Sequence, residues 1–203
     1  HKESNEYRFN LPGAQMSEAE IRRFFNAVRE EADPGDFVVG SGSLPPGAPE
    51  DFWAEAAHIA KEKGARFVLD SISGLDAALE EGVWLLRQNE HEYTSLSGKT
   101  LRWPDEIETF AKDMVAKGRV QNMVVSHAGD GSLLANAQGV FTAPSYKVRA
   151  SSAVGAGDSF VAGLLTALAR GENPADALRY GMASAAATRM SEGTALFDPA
   201  DVK

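Results

Sequence analysis

Asp158 follows Gly155-Ala156-Gly157 and precedes an apolar segment, Phe160, Leu164, Leu165 and Leu168, with helical spacing. The order of these residue types has chemical content. Two glycines and an alanine leave peptide N–H groups uncovered, so several amides can crowd against one anion. A helix starting at the same point adds the partial positive charge of its N-terminus. A carboxylate beside that anion site can take a proton from a hydroxyl while the amides hold a transferring phosphate, which is the geometry of phosphoryl transfer. Two other readings use the same letters. Gly-x-Gly-Asp can be a tight turn with Asp as helix cap. A dinucleotide fingerprint fits less well, because Phe160 stands where a third glycine would pack helix against strand.

Two further groups of polar residues could do chemistry. Ser41-Gly42-Ser43-Leu44-Pro45-Pro46-Gly47 follows a short apolar strand, and its prolines make it a stiff loop at a strand's carboxyl edge. Ser41 and Ser43 could donate hydrogen bonds there, although a plain connection with serine as filler explains the loop as well. Asn89 and Glu92 are three residues apart at a helix start, so both side chains face one way. Such a pair can hold the waters of a hydrated magnesium ion, and a reciprocal helix cap accounts for the same letters. The four histidines, His1, His58, His91 and His127, show no metal-site spacing, and the absence of cysteine excludes disulfides and thiolate chemistry.

The elements that must position these groups alternate. Glu6 to Leu11 reads as a half-buried strand, and Ser17 with Glu18 and Glu20 starts a helix to about Ala32. Apolar strands are predicted at 37–40, 67–70, 83–86 and 123–126, separated by helices at 50–63, 75–81 and 104–117. A hairpin follows at 132–137 and 139–142, then the helix after Asp158 and a small-residue helix at 175–190 containing Ala183-Ser184-Ala185-Ala186-Ala187. This alternation implies an α/β domain: a mostly parallel sheet with helices on both faces, its ligands at the carboxyl edge. At 203 residues one domain is expected over 1–203. The net charge of −9, from 20 basic and 29 acidic residues, argues against a nucleic-acid surface but not against phosphate held by backbone amides. The longest apolar run, Phe160 to Ala169, is about half of the roughly 20 residues a membrane span needs.

Taken together, SGSLPPG at Ser41, NxxE at Asn89, a Val-Val-Ser turn ending in Gly131 and VGAGDSF at Val154 resemble the ribokinase-type sugar kinases of the phosphofructokinase-B family. The likeness runs from Glu6 to Thr194. It implies a three-layer α/β/α fold and transfer of the γ-phosphate of MgATP to a sugar phosphate, with fructose 6-phosphate going to fructose 1,6-bisphosphate. 1-Phosphofructokinase and tagatose-6-phosphate kinase activities are the alternatives, and a non-catalytic nucleotide-binding module is the alternative outside the class.

Residue by residue, the resemblance makes Asp158 the base and Gly155, Ala156 and Gly157 the anion hole. It places Asn89 and Glu92 near magnesium, and Asn89, Ser126, Gly131 and Ser184 along ATP. Arg8 and Ser43 would touch the sugar phosphate, with residues 5–11 a remnant of a β-sheet lid shared across a homodimer. It also implies a monovalent cation near Ser152 and Val154, a cytoplasmic location, and no nucleic-acid or membrane partner. The family's N-terminal third and most of the lid are expected to be absent from this chain, which alone is expected to be inactive. Arg87-Gln88 and His127-Ala128 depart from the family's usual Lys-Pro and apolar-Gly pairs, and Ala153 stands where threonine is frequent.

Overall fold

Alternation along the strands decides the layers. The computed structural model describes residues 13–202 apart from 128, 153, 194 and 196, so Arg8 and the expected strand at 5–11 lie outside the described residues. In β2 (Arg66–Asp70), Phe67 and Leu69 belong to one apolar cluster and Val68 to another. The same division separates Leu86 from Leu85 in β3 (Val83–Asn89), Met123 and Val125 from Val124 in β4 (Val120–His127), and Leu133 from Leu134 in β5 (Gly131–Asn136). Each strand is therefore buried on both faces, which is why these runs are apolar throughout.

With β1 (Phe37–Ser41) and β6 (Gly139–Ala143), they form one six-stranded sheet in the order β1-β2-β3-β4-β5-β6. β1 to β4 are parallel, and β5 and β6 add an antiparallel hairpin. The crossovers run through α2 (Phe52–Glu62), α3 (Leu75–Glu81), and α4 (Glu90–Ser97) with α5 (Asp105–Ala116). Successive right-handed crossovers advancing one strand at a time must lie on one face. Accordingly Trp53, Ala78, Tyr93 and Ile107 share the first cluster. α6 (Ala156–Ala169) and α7 (Pro174–Met190) cover the opposite face through Phe160, Leu164 and Leu178. The three-layer α/β/α arrangement expected from the sequence is the one observed.

α1 (Glu18–Glu31) sits outside these layers. Ser17 caps it in the expected reciprocal box, with Glu20 N donating to Ser17 Oγ and Ser17 N to Glu20 Oε2. Its Phe24 and Phe25 rings each pack 4.9 Å from Phe52, yet no α1 residue is fully buried.

Several elements differ from their predicted limits. β3 continues to Asn89 and β4 begins at Val120, because ladder bonds to neighbouring strands extend pairing through polar residues that hydropathy treats as ends. α4 is a helix in its own right. α6 begins at Ala156, so Ala156 and Gly157 form its first turn and are not a separate loop.

α6 and α7 approach closely because Gly163 faces Ser184: a Cβ at 163 would stand 2.8 Å from the Ser184 Cβ and 3.2 Å from the Tyr180 carbonyl oxygen. Gly163→Val is expected to destabilise the fold by about 2–3 kcal/mol through overpacking. Combining it with Ser184→Gly should recover part of that loss, as read from urea unfolding midpoints.

Candidate active site at the carboxyl edge of the sheet

The parallel register lines up three polar strand ends. Ser41 pairs with Asp70, and the pairing of Val68 with Leu85 and Leu69 with Leu86 carries Asp70 opposite Arg87. Directly paired residues share a face, so Ser41, Asp70 and Arg87 form one row on the side covered by α6. Arg87 Nη1 donates to Asp70 Oδ1 at 3.1 Å, with side chains only 12% and 8% exposed. Burial pushes the Asp70 carboxyl above the usual carboxylate range; the Arg87 guanidinium opposes this, while Glu92 and Asp158 push the same way as burial. Arg87 also lies 6.0 Å from the Phe160 ring centroid, and its Nε is buried with no partner among the described residues.

α6 brings its N-terminus onto this row. Gly155 caps the helix in the left-handed conformation (φ 77°), which a side chain would oppose. The first helical bond runs from Ser159 N to the Gly155 carbonyl, so the amides of Ala156, Gly157 and Asp158 have no acceptor within the helix. A Cβ at Gly157 would stand 3.2 Å from Arg87 Nη1: guanidinium and open amides face the same space. Asp158 is exposed at this mouth, and its Oδ1 accepts a hydrogen bond from Ser41 Oγ at 3.1 Å.

A cavity of about 430 Å³ opens beside these groups, within the range that holds small ligands. Arg87, Asn89, Ser126, Gly131, Ala156 and Gly157 line it from three strands and a helix start. The Ser126 hydroxyl is buried there and has no partner among the described residues. Gly131 has φ 127° and lies against the chain at Ala143 and Pro144, so a side chain would not fit. Tyr146 and the α7 residues Met182, Ala185, Ala186 and Arg189 complete the wall. The cavity thus combines amide donors, a guanidinium and an apolar wall, a set suited to a phosphate-bearing ligand with a flat apolar part.

The other expected site residues distribute unevenly. Asn89 and Glu92 form a full capping box: Asn89 Oδ1 accepts from the His91 and Glu92 amides, and Glu92 Oε2 from the Asn89 amide at 2.7 Å. Asn89 lines the main cavity, whereas Glu92 lines a neighbouring one with Glu50 and Asp76. Among the described residues, no three His, Asp or Glu side chains converge as a direct metal site. Ser43 is exposed and lines a third cavity with Pro45 and Ser73. Ser184 is placed differently from its expected role along ATP. It is buried against Gly163, its hydroxyl donates to the Tyr180 carbonyl, and Ala185 and Ala186 present themselves to the cavity instead. The helix period explains the difference, since adjacent residues point about 100° apart.

Sequence reasoning missed Asp70 and Arg87 as site residues and gave Ser41 no partner. Their signal was available: three apolar strands each end in a polar residue at one register row. His127 packs its ring 5.3 Å from Trp103 and is mostly covered; its Nδ1 lies 2.8 Å from an Asp130 oxygen but makes no well-aligned hydrogen bond among the described residues.

Comparison with known proteins agrees with this geometry. The sequence matches the pfkB family carbohydrate kinases over residues 1–201. It is 34% identical over 200 residues to the ATP-dependent 6-phosphofructokinase isozyme 2 of Mycobacterium tuberculosis, covering 98% of this chain and 59% of that protein. It is also 34% identical to the 1-phosphofructokinase of Bacillus subtilis, covering 94% of this chain and 63% of that one. The crystal structure of phosphofructokinase-2 from Escherichia coli in complex with potassium superposes with a TM-score of 0.90 at 32% identity, over 97% of this chain and 64% of that one. The chain therefore spans about three fifths of the length of these relatives.

Arg87→Met leaves Asp70 buried without its cation and should destabilise the protein by about 3–5 kcal/mol at neutral pH. Adding Asp70→Leu should restore most of that. The penalty belongs to a buried anion, so it should shrink as pH falls through the raised Asp70 value and the carboxyl becomes neutral. Urea unfolding of the three variants at pH 4 and pH 7 reads both effects.

Proposed function

The chain belongs to the pfkB family of carbohydrate kinases, and from that premise we propose that the intact protein transfers the γ-phosphate of ATP to a sugar phosphate. The observation that carries this is Asp158, exposed where the free amides of α6 converge and already holding a hydroxyl donor at 3.1 Å. The acceptor hydroxyl gives its proton to Asp158 as its oxygen attacks the terminal phosphorus, whose bond to the bridging oxygen of the β-phosphate breaks and releases ADP. Meanwhile the amides at 156–158 and the Arg87 guanidinium take up the charge on the transferring oxygens.

The nucleotide would lie in the 430 Å³ cavity, its base against Ala185 and Ala186 and its phosphates toward Ser126, Gly131 and Arg87. The unpartnered Ser126 hydroxyl and Arg87 Nε fit an incoming polar group. Asn89 and Glu92 would stand near a hydrated magnesium ion, Glu92 meeting its waters through the carboxylate oxygen its cap bond leaves free and Asn89, whose Oδ1 is taken by two amides, fixing the turn that aims it. Bound there, the ion supplies charge neutralisation for the phosphates. A monovalent cation beside Ser152 and Val154 is proposed alongside it, supported by the potassium complex of the Escherichia coli protein.

Fructose 6-phosphate is the acceptor we favour, from the Mycobacterium tuberculosis 6-phosphofructokinase relative. Fructose 1-phosphate is the second reading, from the Bacillus subtilis 1-phosphofructokinase. Ser43 and Arg8 would meet the sugar's phosphate, the latter from a lid strand shared across a homodimer in the cytoplasm. Arg8 lies outside the described residues.

Asp158→Asn in the intact protein should lower kcat by about 10²–10⁴-fold while leaving ATP affinity near its original value by calorimetry. Turnover close to that of the parent would remove the base and the kinase assignment with it. With a panel of fructose 6-phosphate, fructose 1-phosphate and tagatose 6-phosphate, the largest kcat/KM is expected for fructose 6-phosphate.

A further inference from the structure

We propose that Ser41 is a positioning residue for the base. Its hydroxyl holds one oxygen of the Asp158 carboxylate, so that the other faces the acceptor. The assignment rests on Asp158 being the base of the proposed reaction.

Ser41 and Asp158 are 117 residues apart, and their 3.1 Å bond is the side-chain contact described for Asp158. Both ends are fixed by backbone. Ser41 is the last residue of β1, locked in register opposite Asp70. The next residue is tied down twice, with Gly42 N donating to the Asp70 carbonyl at 3.1 Å and Ser71 Oγ donating to the Gly42 carbonyl at 2.6 Å. Gly42 then turns the chain away with φ 81°. Asp158 is the third residue of α6, a helix anchored by the buried Phe160, Leu164 and Leu165. An exposed carboxylate on so rigid a mount still rotates about χ1 and χ2 unless something holds it.

Asp70 on β2 is paired with Arg87 on β3, and Glu92 on α4 and Asp158 on α6 stand near enough to Asp70 to act on its charge. Ser41 is a donor that adds no charge of its own, and so does not compete with Arg87 for the phosphate. Ser43, on the same loop, lines a different cavity and makes no such contact.

The competing role is a placeholder: the hydroxyl would occupy the acceptor's position and leave when sugar binds. The two are separated by kinetics on the intact protein. For a positioning role, Ser41→Ala should lower kcat about tenfold to a hundredfold. It should leave the KM for ATP unchanged. Ser41→Thr, which keeps the hydroxyl, should restore kcat. In an Asp158→Asn background, Ser41→Ala should have no further effect, because it acts through the carboxylate. Unchanged kcat in Ser41→Ala, with or without a lower KM for the sugar phosphate, would overturn the proposal while leaving the base intact. Near-parental turnover in Asp158→Asn would instead overturn the base itself. A matching urea midpoint for Ser41→Ala and the parent confirms that the kinetic change does not arise from unfolding.

Discussion

The contact on which this architecture turns is the one between a guanidinium and a helix start. Arg87 lies where a Cβ of residue 157 would come within 3.2 Å, so any side chain there would press on the guanidinium where α6 meets the sheet edge. The guanidinium in turn stays put because Asp70 holds it from the next strand. Such a pair is a weak source of stability, since removing two charges from water costs about as much as their attraction returns. Its buried setting is better explained by what it aims. One cation is fixed under the open amides of a helix, on a row that ends in the hydroxyl bound to Asp158.

Much of the fold was legible in the sequence because each strand is buried on both faces and each helix carries one apolar stripe. Phe67-Val68-Leu69 and Met123-Val124-Val125 could hardly be anything but central strands. Asp158 and its glycines were legible too, since φ above zero and close approach to a neighbour leave little alternative to glycine. Ser126, Gly131 and Asn89, picked out from the sequence, line one cavity.

What was not legible depends on register and rotation. The pairing of Asp70 with Arg87 needs the offset between β2 and β3, which no single strand's letters contain. Arg87 entered the sequence reading only as a departure from a more usual lysine, whereas in the fold it is the cation of the site. Ser184 shows the complementary difficulty. The alanine-rich run correctly marks a helix that permits close approach, but a one-residue rotation decides whether a member faces the cavity or Gly163. The Asn89–Glu92 pair shows that two readings of one motif can hold together. The cap is present in full, and it fixes the orientation that any role toward a hydrated cation would require.

The charge at this edge also bears on why a kinase built this way would need metal. Glu92 and Asp158 stand near enough to Asp70 to act on its charge, in a chain whose net charge is −9. Of the two arginines that line the cavity, Arg87 is already paired with Asp70, so a triphosphate approaching that edge would meet negative charge that these cations and three amides only partly offset. Backbone amides solve part of the problem, because they attract anions without carrying net charge and without needing a partner when the site is empty. Divalent charge arriving with the nucleotide would solve the rest, and would leave with it. A permanent cluster of lysines would neutralise the phosphates equally well, but it would also pair with Asp158 and weaken it as a base. Tying Arg87 to Asp70 leaves the carboxylate at the mouth of α6 free for a hydroxyl.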